Sequence, residues 1–106
     1  MTATLDQTFA ALADPTRVEI VTRLSRGPAS VSELAGPHDM TLRAILKHVQ
    51  VLEDAGVVRT VKEGRVRRCE LERRTLESTA RWIEQVRQRW ERRLDRIDDY
   101  VKDKKP

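Results

Sequence analysis

Arg43, Lys47 and Gln50 follow one another at steps of four and three within "MTLRAILKHVQVLEDAG", Met40 to Gly56. At about 100° per residue they share one face of a helix, with Asp54 at its far end. Guanidinium, ammonium and carboxamide groups on one ridge are hydrogen-bond donors suited to phosphates and base edges. His48 stands at the edge of that face, and Leu46 sits where the polarity changes over. A second basic group lies downstream: Lys62, Arg65, Arg67 and Arg68 flank Glu63-Gly64, with Arg59 just before them. Nothing else in the chain has the makings of reactive chemistry. There are two histidines, His38 and His48, and one cysteine, Cys69. No nucleophile sits with a base, no glycine-rich loop could cradle a phosphate, and no metal-ligand cluster is visible. The expectation is therefore no enzyme, no cofactor and no metal.

The residues around these groups must hold them in place. With 106 residues the chain is expected to form a single small domain, 1–106, whose own core is marginal. Burial in a dimer would help it. Lys and Arg outnumber Asp and Glu by 21 to 17, which favours an anionic partner only if the charge collects on one face. One cysteine excludes an internal disulfide. No apolar run approaches the roughly 18–20 residues of a membrane span, and "MTATLDQTFAALADP" has no secretory pattern, so a cytoplasmic protein without a membrane partner is expected.

Leu5, Phe9 and Leu12 recur at helical spacing and predict a first helix over 1–13. "DPTR" punctuates: Asp14 can cap the next helix and Pro15 suits its first position. That helix carries Ile20, Val21 and Leu24 and stops at "SRGP", with Gly27 and Pro28. Ser30 and Glu33 have capping-box spacing for a short third helix with Val31, Leu34 and Ala35. Thr41 can cap the basic helix, which ends at Gly56. Its wheel groups Leu42, Ile45, Val49 and Leu52 as core, with small Ala44 beside the polar face. Residues 30–56 thus have the layout of a helix-turn-helix. "VVRTVKEGRVRRCEL", 57–71, is rich in β-branched residues and broken at Glu63-Gly64, so it predicts a basic hairpin. From 74 to 101 no glycine or proline occurs, and Leu76, Ala80, Ile83, Val86, Trp90, Leu94, Ile97 and Val101 advance by threes and fours. One long amphipathic helix follows, then a flexible tail over 102–106.

The order is that of a winged helix-turn-helix: mainly α, with a small β-hairpin (α+β) and helical dimerisation elements at both termini. The major groove of duplex DNA admits one helix, and arginines on a flanking hairpin can reach the backbone or minor groove. The expected DNA contacts are Thr41, Arg43, Ala44, Leu46, Lys47, His48 and Gln50 from the helix. Lys62, Arg65, Arg67 and Arg68 are expected from the wing. The expected homodimer interface is Leu5, Phe9, Leu12, Trp82, Ile83, Val86, Trp90, Leu94 and Ile97. For each group there is a plainer reading. A polar helix face is usually just solvated, and a charged edge strand discourages aggregation. His48 can be a packing residue, and His38 an exposed loop residue. Cys69 in a strand is more often a small buried hydrophobe than a redox switch. Leu46 can meet a thymine methyl, but partial packing in the core beside Leu42 is the favoured expectation.

Taken together, "ALADPTR", "KHVQVLEDAG" and the "EGR" wing resemble the ArsR family of bacterial winged-helix repressors, over Leu5 to about Leu71. The resemblance implies a dimer that represses transcription from double-stranded operator DNA and often releases it when an effector binds. Where such proteins often read "S-x-x-A-V-S-K-H-L", this chain has "TLRAILKHV". A serine that commonly faces DNA is Leu46 here, and a frequent proline is Arg43. The third helix, "VSELAG", has no cysteine and the last helix no histidine, so the resemblance is to members that do not sense metals. Two other readings stay open. One is a protein-interaction module with a vestigial DNA face. The other is an effector- or redox-responsive repressor using Cys69.

Overall fold

Residues 4–103 are described by a computed structural model. Three helices come before the basic one: α1 (Leu5–Leu12), α2 (Pro15–Leu24) and the one-turn α3 (Val31–Ala35). The basic helix is α4 (Leu42–Asp54). A two-residue strand β1 (Ala29–Ser30) precedes α3, and the hairpin is β2 (Val58–Glu63) and β3 (Val66–Leu71). The chain ends in α5 (Arg73–Asp103). The chain divides into two compact units at Leu76/Glu77. Helix α5 starts in the first unit and continues as the second. It also runs through Lys102 and Asp103, which the sequence reading assigned to the tail; residues 104–106 lie outside the described residues.

The helices start where their capping side chains sit. Asp14 Oδ2 accepts from Arg17 N at 3.1 Å, with Pro15 at the first helical position of α2. Ser30 and Glu33 close the capping box of α3 in both directions, at 3.1 and 3.3 Å. Thr41 Oγ1 accepts from Ala44 N at 3.1 Å and starts α4. A fourth start, not legible from the spacing of apolar residues, lies at Thr4. There Gln7 N donates to Thr4 Oγ1 and Thr4 N donates back to Gln7 Oε1.

The end of α4 has the most consequence. Gly56 takes φ +74°, Gly56 N donates to Glu53 O at 2.9 Å, and Val57 N reaches back to Leu52 O at 2.9 Å. This pair of bonds is a Schellman stop, and its usual apolar partners, Leu52 and Val57, are both fully buried. The chain therefore leaves the helix directly into β2.

The hairpin pairs Glu63 with Val66 across a two-residue loop, Gly64-Arg65. Gly64 has φ +64°, and no atom lies within 4 Å of where a Cβ would stand. The glycine is required by the turn conformation and not by crowding. Strand β3 is central, in the order β1-β3-β2, all antiparallel. Strand β1 is not legible in the sequence, because two residues cannot show a two-residue alternation. Ser30 both ends that strand and caps α3.

The core of this unit gathers Ile20 and Leu24 from α2, Ile45, Val49 and Leu52 from α4, and Val57, Val58 and Cys69 from the hairpin region. Leu42, assigned to the core face by the wheel, does not join them and is 54% exposed. On α1 the fully buried positions are Thr8 and Ala11, while Leu12 is partly buried against the core. Thr8 is tolerated there because its hydroxyl donates to Thr4 O at 3.2 Å.

Leu52 is wholly buried at the junction of helix, stop and sheet. Leu52→Ala is expected to lower the unfolding free energy by roughly 2–5 kcal/mol, measured by urea titration.

Candidate nucleic-acid interface

Helix α4 divides its circumference. Ile45, Val49 and Leu52 face inward, which turns Arg43 and Lys47 outward, where both are exposed. Ala44 is half-buried beside them. Gln50 is also exposed, but its Nε2 donates to Asp54 Oδ1 at 2.9 Å, so this amide is held along the helix. The two residues at the flanks of the polar face are more than a third exposed or tied to a neighbour, and they do different things. Leu46 is 36% exposed and stands outside the core cluster, contrary to the expectation that it tips inward. His48 lies on the other flank and turns toward the α1–α2 corner. Its Nδ1 is 3.2 Å from Arg17 Nη1 and 3.9 Å from Asp14 Oδ2.

Arg17 was not among the residues singled out by sequence. It joins three pieces: its Nε donates to Ala11 O at 2.5 Å, its N–H is capped by Asp14, and its guanidinium meets His48. The carboxyl of Asp14 is held below its ordinary value, chiefly by the backbone N–H of Arg17 and then by the charge of its guanidinium. Arg17 thus links the α1–α2 corner to the flank of α4. The signal was present in "DPTR", but an arginine three residues past an N-cap carries no distance information.

The wing sorts its charges by strand alternation. Lys62 pairs with Arg67, Thr60 with Cys69, and Val58 with Leu71, and these pairs share the inner face. The other face carries Arg59 opposite Glu70, and Arg68. There Arg59 is ion-paired with Glu70, and Arg68 with Glu63 at 3.8 Å. Arg68, grouped by sequence with the other wing cations, therefore lies on the opposite face with its charge partly offset. Counting alternation outward from the Gly64 turn would have separated it from Lys62 and Arg67.

Between the inner face of the wing and α4 lies a groove of about 490 Å³. Lys62, Arg65 and Arg67 line one side, Leu42 and Leu46 the other, with Val66 at the tip and Ser30, Val31 and Ser32 at one end. Among the described residues, none of Arg43, Lys47, Lys62, Arg65 and Arg67 is ion-paired, whereas Arg23, Arg59, Arg68 and Arg87 are. On the wing, the free cations Lys62, Arg65 and Arg67 line the groove, and the paired Arg59 and Arg68 lie on the other face.

The other expected residues fall as follows. Leu5 and Leu12 are half-buried, and Phe9 is 40% exposed. On α5, Trp82, Ile83, Val86, Trp90, Leu94 and Ile97 form a stripe between 43% and 59% exposed. His38, expected to be an exposed loop residue, has a side chain only 13% exposed, with Nδ1 3.4 Å from Glu19 Oε2. Among the described residues, no three of His, Cys, Asp and Glu are placed to hold a metal ion, and no helix is long and apolar enough to cross a membrane.

Residues 12–61 match a helix-turn-helix domain family. The crystal structure of an ArsR family transcriptional regulator is 49% identical, with a TM-score of 0.76, over 82% of this chain and 96% of that one. The chain belongs to the ArsR family. An ArsR-like transcriptional regulator from Rhodococcus sp. RHA1 is 41% identical, with a TM-score of 0.76, over 91% of each chain. Rv2034, an HTH-type transcriptional regulator of Mycobacterium tuberculosis, is 43% identical over 53 residues, so the match spans about half the length of that curated relative and half of this chain. The winged helix-turn-helix of this ArsR-family chain is the fold that its sequence order implied.

Cys69 of this ArsR-family chain is fully buried, between Thr60 on β2 and Ala29 on β1. Burial raises its thiol from 9.0 to about 11, with the nearby Glu53 carboxylate adding to the effect. The reactive species is the thiolate, so this position is poorly suited to redox sensing. Relative to a thiol at 9.0, a rise to about 11 leaves about a hundredfold less thiolate at pH 8. Iodoacetamide at that pH is expected to alkylate native Cys69 at least tenfold more slowly than urea-unfolded Cys69, read by mass spectrometry.

Proposed function

We propose that this protein is a sequence-specific DNA-binding transcriptional repressor that acts in the cytoplasm as a homodimer on a palindromic operator. The observation that carries this reading is the separation of charges. The unpaired Lys62, Arg65 and Arg67 of the wing border a groove beside α4, whose own Arg43 and Lys47 are exposed and unpaired, while the arginines on the wing's other face are matched to carboxylates. An arrangement made only for solubility would have no reason to keep both signs together on one face of a ribbon and cations alone on the other. Helix α4 presents Thr41, Arg43 and Lys47 to the major groove, and Arg65 and Arg67 reach the flanking backbone.

The homodimer is supported by α5, whose apolar stripe stands about half exposed along its length. Aqueous exposure of Ile83, Val86, Trp90, Leu94 and Ile97 costs free energy that a second copy of the same helix would recover. A two-fold dimer reads two half-sites about one helical turn, or a multiple of it, apart.

Arg65→Ala is expected to weaken binding to specific and random duplexes alike and to reduce the slope of log K against log salt by about one. Arg68→Ala is expected to leave affinity within about twofold, because its charge is already offset. Gel shifts over a salt series check both, and no retardation of any duplex at low salt would remove the DNA reading altogether. Trp90→Glu is expected to yield monomers by light-scattering mass measurement, and an intact mutant dimer would place the interface elsewhere.

A further inference from the structure

The groove beside α4 holds more than cations. Leu42 and Leu46 are one turn apart and form a short apolar strip, 54% and 36% exposed. Neither leucine belongs to the core cluster. Arg43 and Lys47 run along one side of the strip on the same helix, and Lys62, Arg65 and Arg67 face it from the wing. Phosphates account for the cations, but they do not account for two leucines placed among them. An apolar strip inside a basic surface calls for an occupant that is anionic at its edges and apolar at its centre. The major groove has that character at one base only. Thymine presents its C5-methyl group between phosphate ridges, while the other base edges present only donors and acceptors.

We propose that Leu42 and Leu46 are specificity-determining residues that select thymine by packing on its C5-methyl group. Leu42 is the first residue of α4, the turn from which base contacts of helix-turn-helix proteins usually come, and Leu46 continues the strip one turn further. Cations on both sides bring the backbone in, and the strip then discriminates by apolar contact. The inference rests on the DNA-binding reading above.

The test separates the two. The full chain is used to select duplexes from a randomised library, and each thymine of the selected duplex is replaced in turn by deoxyuridine, which lacks only the methyl group. The expected result is a loss of about fourfold at one or two positions in each half-site, the factor for one buried carbon. The loss is expected to shrink toward none in Leu46→Ala or Leu42→Ala at the thymine each one touches. Two outcomes overturn the proposal while leaving DNA binding intact. One is equal affinity for every uridine duplex. The other is a uridine penalty of unchanged size in both alanine variants. Failure to select or retard any duplex overturns the DNA-binding reading and this inference with it.

Discussion

Everything in the first unit depends on α4 being packed on one side only. Ile45, Val49 and Leu52 are removed from water on the side of α4 that packs against α1, α2, α3 and β2, and this burial fixes the rotation of the helix. Once that rotation is fixed, Arg43 and Lys47 have nowhere to go but outward. The same packing sets where the helix ends. Leu52 contributes both a core side chain and the carbonyl that Val57 N caps, so core and stop are one structure. The wing is placed beside the reading helix because only Ala55, Gly56 and Val57 separate the end of α4 from the first residue of β2.

The wing carries the same logic at a period of two. Its inner residues near the core are Val58, Thr60, Cys69 and Leu71, and its inner residues near the tip are Lys62 and Arg67. The ribbon outgrows the core it covers, so its inner face changes from apolar to basic along its length. Beyond the core, that face looks across the groove to Leu42 and Leu46 on the flank of α4. The outer face has no such neighbour, and there arginines are matched with glutamates. Edge charge of that kind also protects the exposed strand β2 from pairing with another chain.

Arg17 shows how the corner between α1 and α2 is tied to the reading helix. A single guanidinium serves the end of α1 through Ala11 O and the flank of α4 through His48. The carboxylate of Asp14 sits against the same group, so the start of α2 and the orientation of α4 share one polar cluster. His48 lies on the flank of α4 away from the wing, which assigns it to this corner and leaves the wing side to Leu46.

The elements were legible in the sequence because each is written in local chemistry. Caps at Asp14, Ser30 and Thr41, the glycine stop at Gly56, the Glu63-Gly64 turn and the three-four spacing of α5 depend on neighbours within a few residues. The order of those elements, with "ALADPTR" and "KHVQVLEDAG", was enough to bring the family resemblance into view. What the sequence could not decide was which groups meet from distant parts of the chain. Leu42 matches the core period as well as Ile45 does, but the wing opens a groove beside it instead of closing over it. Arg68 reads as one more cation in a basic run, until pairing with β2 puts it across from the others and next to Glu63. His38 reads as loop, until Glu19 of α2 comes within reach. Each of these fates depends on a partner brought near by folding, and no periodicity along one segment records what the next segment will cover.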